Sequence, residues 1–194
     1  MWNERYDSSD YFYGTEPNDF LREHAAQLRS PVLSLAEGEG RNAVYMASLG
    51  LSVVGVDGSP VGLAKASLLA AQRGVTIQTE VADLSVYTPT PNTYGTVVSI
   101  FAHLPFVIRR RLYPLVAQCL QPGGVLVLEA YAEEQITRST GGPKDLDMLM
   151  SEEKIRNEFP TLTPILLQSV ERDVTEGQGH TGLASVVQFI GKKI

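Results

Sequence analysis

The sequence predicts an α/β domain built on a doubly wound, mostly parallel sheet. Three observations predict it. Short apolar runs alternate with helical patterns between residues 32 and 131. A glycine turn, EGEGRN, joins the first of these runs to the helix that follows it. The chain closes on two strand patterns joined by TEGQGHTG, a β-hairpin signal. A β-α-β-α order with right-handed crossovers gives parallel strands covered by helices on both faces, and the terminal hairpin adds an antiparallel pair.

Each element has its local reason. Residues 16–29 read as a helix, with Pro17 near the first turn and Phe20, Leu21, His24 and Leu28 on one face. Pro31 ends it. Residues 32–35 form a short buried strand, and 41–49 a helix closed by Gly50. Residues 51–56, LSVVGV, are the second strand. Ser59 and Pro60 cap and start a helix that runs to Gly74. Residues 75–81 alternate as the third strand. Beyond the loop TPTPNT, residues 95–101 make the fourth strand and 105–120 a helix ended by Pro122-Gly123-Gly124. Residues 125–131 are the fifth strand. Residues 132–150 keep no period and are too long for an ordinary connector, so they read as a lid or as disordered. Residues 151–159 form a helix with Glu152 and Glu153 in its first turn. Residues 165–173 and 184–190 are the strands of the hairpin.

The chain has 194 residues, which suits one domain over 1–194 with a full core. Its net charge is −6, which argues against a polyanionic partner such as nucleic acid. No window approaches the ~20 apolar residues of a membrane span. The polar start MWNERYDSSD is unlike a signal peptide. The single cysteine, Cys119, rules out an internal disulfide and fits a cytoplasmic protein. No metal ligand set is assigned.

Ligands of open parallel sheets bind beyond the carboxyl ends of the strands. Four such ends carry suggestive residues. The first leads to Glu37, Gly38 and Gly40, the second to Asp57 and Gly58, the third to Asp83 and Leu84, and the fourth to Phe101 with His103 behind it. Gly38 and Gly40 allow a sharp turn and a close approach of something to the backbone. The following helix directs its free N–H groups at the same place. Asp57 suits a ribose diol through charge-assisted hydrogen bonds, and Asp83 an adenine amino group. Singly, the glycine pair reads as an ordinary turn and each aspartate as a cap or a solvated acid. Together at successive strand ends they point to an adenosine site.

Two cofactor classes share this geometry. Gly38, Gly40 and Ala43 match the dinucleotide pattern G-x-G-x-x-G/A, with Asp57 near the expected offset. An NAD-dependent oxidoreductase is therefore one reading. Against it, the chain has no room for a second substrate domain, and no tyrosine is followed four positions later by lysine.

The stretches YFYGTEPNDFL, LAEGEGRNAVYMASLG, VVGVDGSPVGLAKA, VADL, VSIFAHLP, LQPGGVLVLEAY and EGQGHTG carry the other reading. In these the chain resembles the class I S-adenosylmethionine-dependent methyltransferases, and more narrowly the branch of the tellurite-resistance methyltransferases. The resemblance implies a Rossmann-like, seven-stranded sheet ordered 3-2-1-4-5-7-6, with the hairpin as strands six and seven. It implies S-adenosylmethionine as cofactor. Gly38 and Gly40 would lie under its methionyl part, Asp57 at the ribose and Asp83 with Leu84 at the adenine, with Gly58 and Phe101 also among the cofactor-binding residues. The segment 11–18, including Tyr13, would close over the site.

One departure stands out. Many class I enzymes carry an acid at the end of strand one and then a glycine, where this chain has Ser34 and Ala36. The cofactor's ammonium then needs Glu37 or a backbone carbonyl, and Arg41 could meet its carboxylate. The cofactor carries the hard chemistry of methyl transfer. The protein has to align an acceptor and exclude water. His103 and His180 are the acceptor-side candidates. Arg109, Arg110 and Arg111 cannot share one helix face, so one at most would meet an anionic acceptor. The N/D-P-P-Y run of enzymes that methylate amino groups on bases is missing. A small molecule or a chalcogen oxyanion is the expected acceptor, the oxyanion being implied by the resemblance alone. A non-catalytic module that binds an adenosine ligand is the third reading.

Overall fold

The computed structural model describes residues 2–194. Met1, included in the 1–194 reading, lies outside the described residues. The strands are β1 (Val32–Leu35), β2 (Val53–Asp57), β3 (Gln78–Val81), β4 (Tyr94–Ile100), β5 (Leu120–Tyr131), β6 (Thr163–Glu176) and β7 (His180–Lys192). They form one seven-stranded sheet in the order β3-β2-β1-β4-β5-β7-β6, as expected. β1 pairs in parallel with both β2 and β4, so the strand order reverses beside it. β7 runs antiparallel between β5 and β6.

The helices are α1 (Trp2–Tyr6), α2 (Asp19–Glu23), α3 (Arg41–Ser48), α4 (Pro60–Gln72), α5 (Phe106–Cys119) and α6 (Glu152–Glu158). Period-two alternation along the central strands decides what covers each face. Leu33, Leu35, Val97, Leu126 and Leu128 pack with Leu112 and Val116 of α5 and Ile155 of α6. Their neighbours Val32, Val98, Val125 and Val127 pack with Phe20 and Leu21 of α2 and Ala43 and Met46 of α3.

Several boundaries differ from the sequence reading. The helix expected over 16–29 begins only at Asp19, because the Asn18 side chain accepts the Leu21 amide and caps it there. A 3-10 turn over Ala25–Gln27 replaces its second half. β5 begins at Leu120, so Pro122-Gly123-Gly124 lies within the strand rather than between elements, at a shift in its register with β4. Residues 132–150 are folded into two 3-10 turns, Glu133–Thr137 and Leu146–Met148. Gln135 fixes the first, donating to Thr140 and Gly141 and accepting the Ser185 amide. The hairpin strands extend beyond the expected ranges, up to the turn at Gly177.

Candidate active site

A cavity of about 430 Å³ opens at the carboxyl ends of β1, β2, β3 and β4, within the size range of small-molecule sites. It adjoins the place where the strand order reverses. Two non-glycine residues with positive φ follow neighbouring strands here: Ala36 after β1, at 51°, and Phe101 after β4, at 50°. Both line the cavity. Such backbone costs of order 1–3 kcal/mol and persists where its surroundings hold it.

The turn after β1 is built on carboxylates. Asp57, at the end of β2, accepts the Gly38 amide at 2.9 Å and the Ser59 amide at 2.8 Å. Burial pushes its carboxyl up, and the amides of Ser59 and Gly38 draw it part of the way back. Gly38 lines the cavity with φ of 63°, and a Cβ there would stand 2.9 Å from the Tyr6 hydroxyl. Gly40 serves a different purpose from the one expected. It does not line the cavity; its φ is 94°, and a Cβ would stand 2.5 Å from Cβ of Ala66. It lets α3 start against α4.

Glu37 lies in the cavity wall, yet its carboxylate is held beneath the turn. Oε1 accepts the Ala43 amide at 2.9 Å, and Oε2 accepts the Ser34 hydroxyl. Burial pushes this carboxyl up to about 7, despite the hydrogen bonds from Ser34 and Ala43. Ser34 and Glu37 thus satisfy one another and cap α3. Asp83 is exposed at the cavity edge, with its carboxyl held down by the Ser85 amide at 2.8 Å. Leu84 beside it is buried.

The N-terminal segment forms another wall, with Trp2, Tyr6, Tyr13 and Gly14 lining the cavity. Three ties hold it. Lys65 of α4 donates to the Tyr6, Ser8 and Asp10 carbonyls and pairs with Glu39. Glu39 accepts the Phe12 amide at 2.8 Å, and the Phe12 carbonyl accepts the Gln178 amide at 2.8 Å. Asn18 donates to Glu129 at 2.6 Å and to Glu176 at 2.7 Å. Arg41 pairs with Glu176 at 2.6 Å and Arg172 with Glu129 at 2.6 Å, so two buried acids meet two cations.

Both expected histidines line the cavity, in different states. The His103 Nε2 accepts the Tyr131 amide at 3.1 Å. Burial and the neighbouring His180 push His103 down to about 3. His180 is buried, and its Nδ1 lacks a hydrogen-bond partner, standing 3.7 Å from Glu176 Oε2. Burial lowers its pKa, while Glu176 opposes that. Burial raises the Glu176 carboxyl, but His180, Arg41 and Asn18 outweigh it and hold the group at about 2. Arg109 points away from the cavity. It is fully buried, pairs with Glu158 at 2.9 Å and donates to the Leu104 and Asp147 carbonyls.

Trp2 and Tyr6 carried no signal in the sequence, and Asn18, Glu129 and Glu176, though inside the stretches that carry the resemblance, were not singled out, being single residues from distant stretches. Asp57, Gly58, Asp83, Leu84, Phe101, Arg41 and Tyr13 all line the cavity.

A methyltransferase domain family matches residues 32–124. The chain is 28% identical over 120 residues to the 2-heptyl-1-hydroxyquinolin-4(1H)-one methyltransferase of Mycobacteroides abscessus, covering 60% of this chain and 53% of that protein. It therefore spans about half the length of that curated relative. Among solved structures, TehB from Haemophilus influenzae superposes with a TM-score of 0.73 at 18% identity, over 100% of this chain and 66% of that one. The N-methyltransferase NodS from Bradyrhizobium japonicum, solved with S-adenosyl-L-homocysteine, gives 0.72 at 16% identity, over 99% and 96%. At these identities the solved structures share the fold.

Proposed function

We propose that this chain, whose residues 32–124 match a methyltransferase domain family and whose seven-stranded sheet has the class I order, transfers a methyl group from S-adenosylmethionine to a small-molecule acceptor. The observation that carries the reading is one cavity with two unlike ends. Asp57 and Asp83 stand at the ends of β2 and β3, and a group of rings stands beyond β4.

The donor set fits the cofactor. Asp57 spends one lone pair of each oxygen on a backbone amide and keeps others for a ribose diol. Gly38 leaves room that a Cβ would fill. Asp83 and Leu84 offer an acceptor and an apolar surface to an adenine. When bound, S-adenosylmethionine supplies a methyl group already activated by its sulfonium. Asp57 and Asp83 orient the nucleoside end, and the ties through Lys65 and Glu39 hold the N-terminal segment where it keeps water out. With Ser34 and Glu37 engaged with each other, backbone carbonyls of the turn at Ala36 are left to meet the ammonium. Arg41, already paired with Glu176, stands near enough for a carboxylate to share it.

The acidic balance supports a small acceptor over nucleic acid. Among the described residues no helix is long and apolar enough to cross a membrane. We read residues 1–194 as one domain. Its buried free thiol, Cys119, pushed up to about 12 by burial, suits the cytoplasm.

Native mass spectrometry of the purified protein tests this reading. S-adenosylmethionine or S-adenosylhomocysteine retained by the protein supports it; retained NAD would favour the oxidoreductase. A protein that binds S-adenosylmethionine and methylates nothing across a broad acceptor panel would be the non-catalytic module.

A further inference from the structure

The cavity beyond β4 is walled by rings. Phe101 stands at its centre, with ring centroids 4.7 Å from His180, 4.7 Å from Tyr131 and 6.0 Å from His103. Tyr13 closes on His180 at 4.6 Å. Tyr131 stacks on His103 at 5.3 Å and lies fully buried behind the lining. The backbone strain at Phe101 falls on the residue whose ring links this group.

The charges of this end are already spent. Arg41 is the one Lys or Arg among the described residues that line the cavity, and Glu176 holds it at 2.6 Å. Arg109 faces Glu158 instead. An inorganic oxyanion would have to share Arg41 with Glu176 and with the cofactor's carboxylate, and a buried charge short of a partner is costly. Rings with electron-rich faces add to that cost and favour a flat apolar partner.

An acceptor position remains open at His180. His103 has committed Nε2 to the Tyr131 amide. His180 turns Nδ1 toward Glu176, which as a carboxylate favours the proton on Nδ1. That tautomer leaves the Nε2 lone pair on the opposite side of a ring that lines the cavity.

We infer that this end of the cavity takes a flat aromatic acceptor bearing a hydroxyl group, its ring packed against Phe101 and Tyr13 and its hydroxyl donating to His180 Nε2, in preference to an inorganic oxyanion. The inference rests on the methyltransferase reading. As a lone pair of the hydroxyl oxygen forms the bond to the methyl carbon, the carbon–sulfur bond breaks and its pair returns to sulfur, leaving S-adenosylhomocysteine; the O–H electron pair stays on oxygen and the proton passes to Nε2. Glu176 then faces the imidazolium. Glu176 is a positioning residue, and His180 is the group that touches the acceptor.

Calorimetry with the whole protein tests this without turnover. The probes are 2-naphthol, 2-methylnaphthalene and sodium selenite, each titrated with and without saturating S-adenosylhomocysteine. The wild type should bind one 2-naphthol and give no heat with selenite. Phe101→Leu should weaken both naphthalenes roughly 2- to 12-fold, the worth of one aromatic pair. His180→Phe keeps a ring and removes the acceptor nitrogen, so it should weaken 2-naphthol by a similar factor and leave 2-methylnaphthalene unchanged. Selenite binding, or wild type that binds S-adenosylhomocysteine and not 2-naphthol, would overturn the inference and leave the methyltransferase reading standing. Failure to bind S-adenosylhomocysteine would overturn that reading, while the 2-naphthol titration without it still judges the ring site.

Discussion

The Gly38 amide donates to Asp57 Oδ2 over 2.9 Å, so one carboxylate both fastens the turn after β1 to the end of β2 and faces the cavity. The two tasks separate by substitution. Asp57→Ala leaves the buried Gly38 and Ser59 amides without their acceptor, which should cost about 1–3 kcal/mol of stability. It should also weaken S-adenosylhomocysteine roughly 10- to 150-fold. Asp57→Asn keeps an acceptor oxygen and should melt closer to wild type while still losing affinity. Unchanged affinity in both variants would remove Asp57 from the cofactor site.

Gly40 makes the opposite forecast. A side chain there meets α4 and not the cavity. Gly40→Ala should lose about 1–2 kcal/mol to the left-handed backbone and about 1–3 kcal/mol to overpacking against Ala66. Urea melts should record that loss, with S-adenosylhomocysteine affinity of the folded fraction little changed. A large loss of affinity without a loss of stability would place Gly40 at the cofactor after all.

Glu37 gives a pH signature. Its carboxyl is held at about 7 in the fold, against 4.5 when exposed. Between those values the folded state binds the proton more tightly than the unfolded chain. Glu37 therefore contributes most stability below pH 4.5, and that contribution is lost as pH rises through about 7. Relative to Glu37→Gln, the wild type should gain up to about 2 kcal/mol on going from pH 7 to pH 5, at about 1.4 kcal/mol per unit of pKa difference. Parallel melts across the series check this. A constant difference between the two proteins would mean that Glu37 does not titrate there.

Arg109 separates structure from binding in the other direction. Arg109→Ala leaves the nearly buried Glu158 carboxylate without its partner and takes a donor from the carbonyls of Leu104 and Asp147. Removing one partner of a buried pair costs about 3–5 kcal/mol. Unfolding midpoints should fall accordingly, and any folded protein should bind S-adenosylhomocysteine like wild type. A stable variant with weakened binding would return Arg109 to the site.

The fold was legible because its signals are local. The short apolar runs at 32–35 and 95–101, the Ser59-Pro60 start of α4 and the glycine ends need only a few neighbouring residues. Asp57 was legible for the same reason, as an acid at a strand end. The polar base of the site was not, because Asn18 meets Glu129 and Glu176 across 111 and 158 positions of chain. No spacing rule reaches that far. Gly40 was misjudged because a glycine records that something comes close, and not whether that is a ligand or Ala66. Glu37 was read as a partner for the cofactor's ammonium, but the partners of its carboxylate depend on where Ser34 and Ala43 arrive once β1 and α3 have packed.

The most direct test is a paired titration of the wild-type protein with S-adenosylhomocysteine and with NADH. Saturation of one site by S-adenosylhomocysteine is expected, adding about 2.7 kcal/mol of stability at a hundred times Kd, with no heat and no shift in melting from NADH. Binding of NADH with none of S-adenosylhomocysteine would contradict the methyltransferase assignment and make the glycine turn a dinucleotide site.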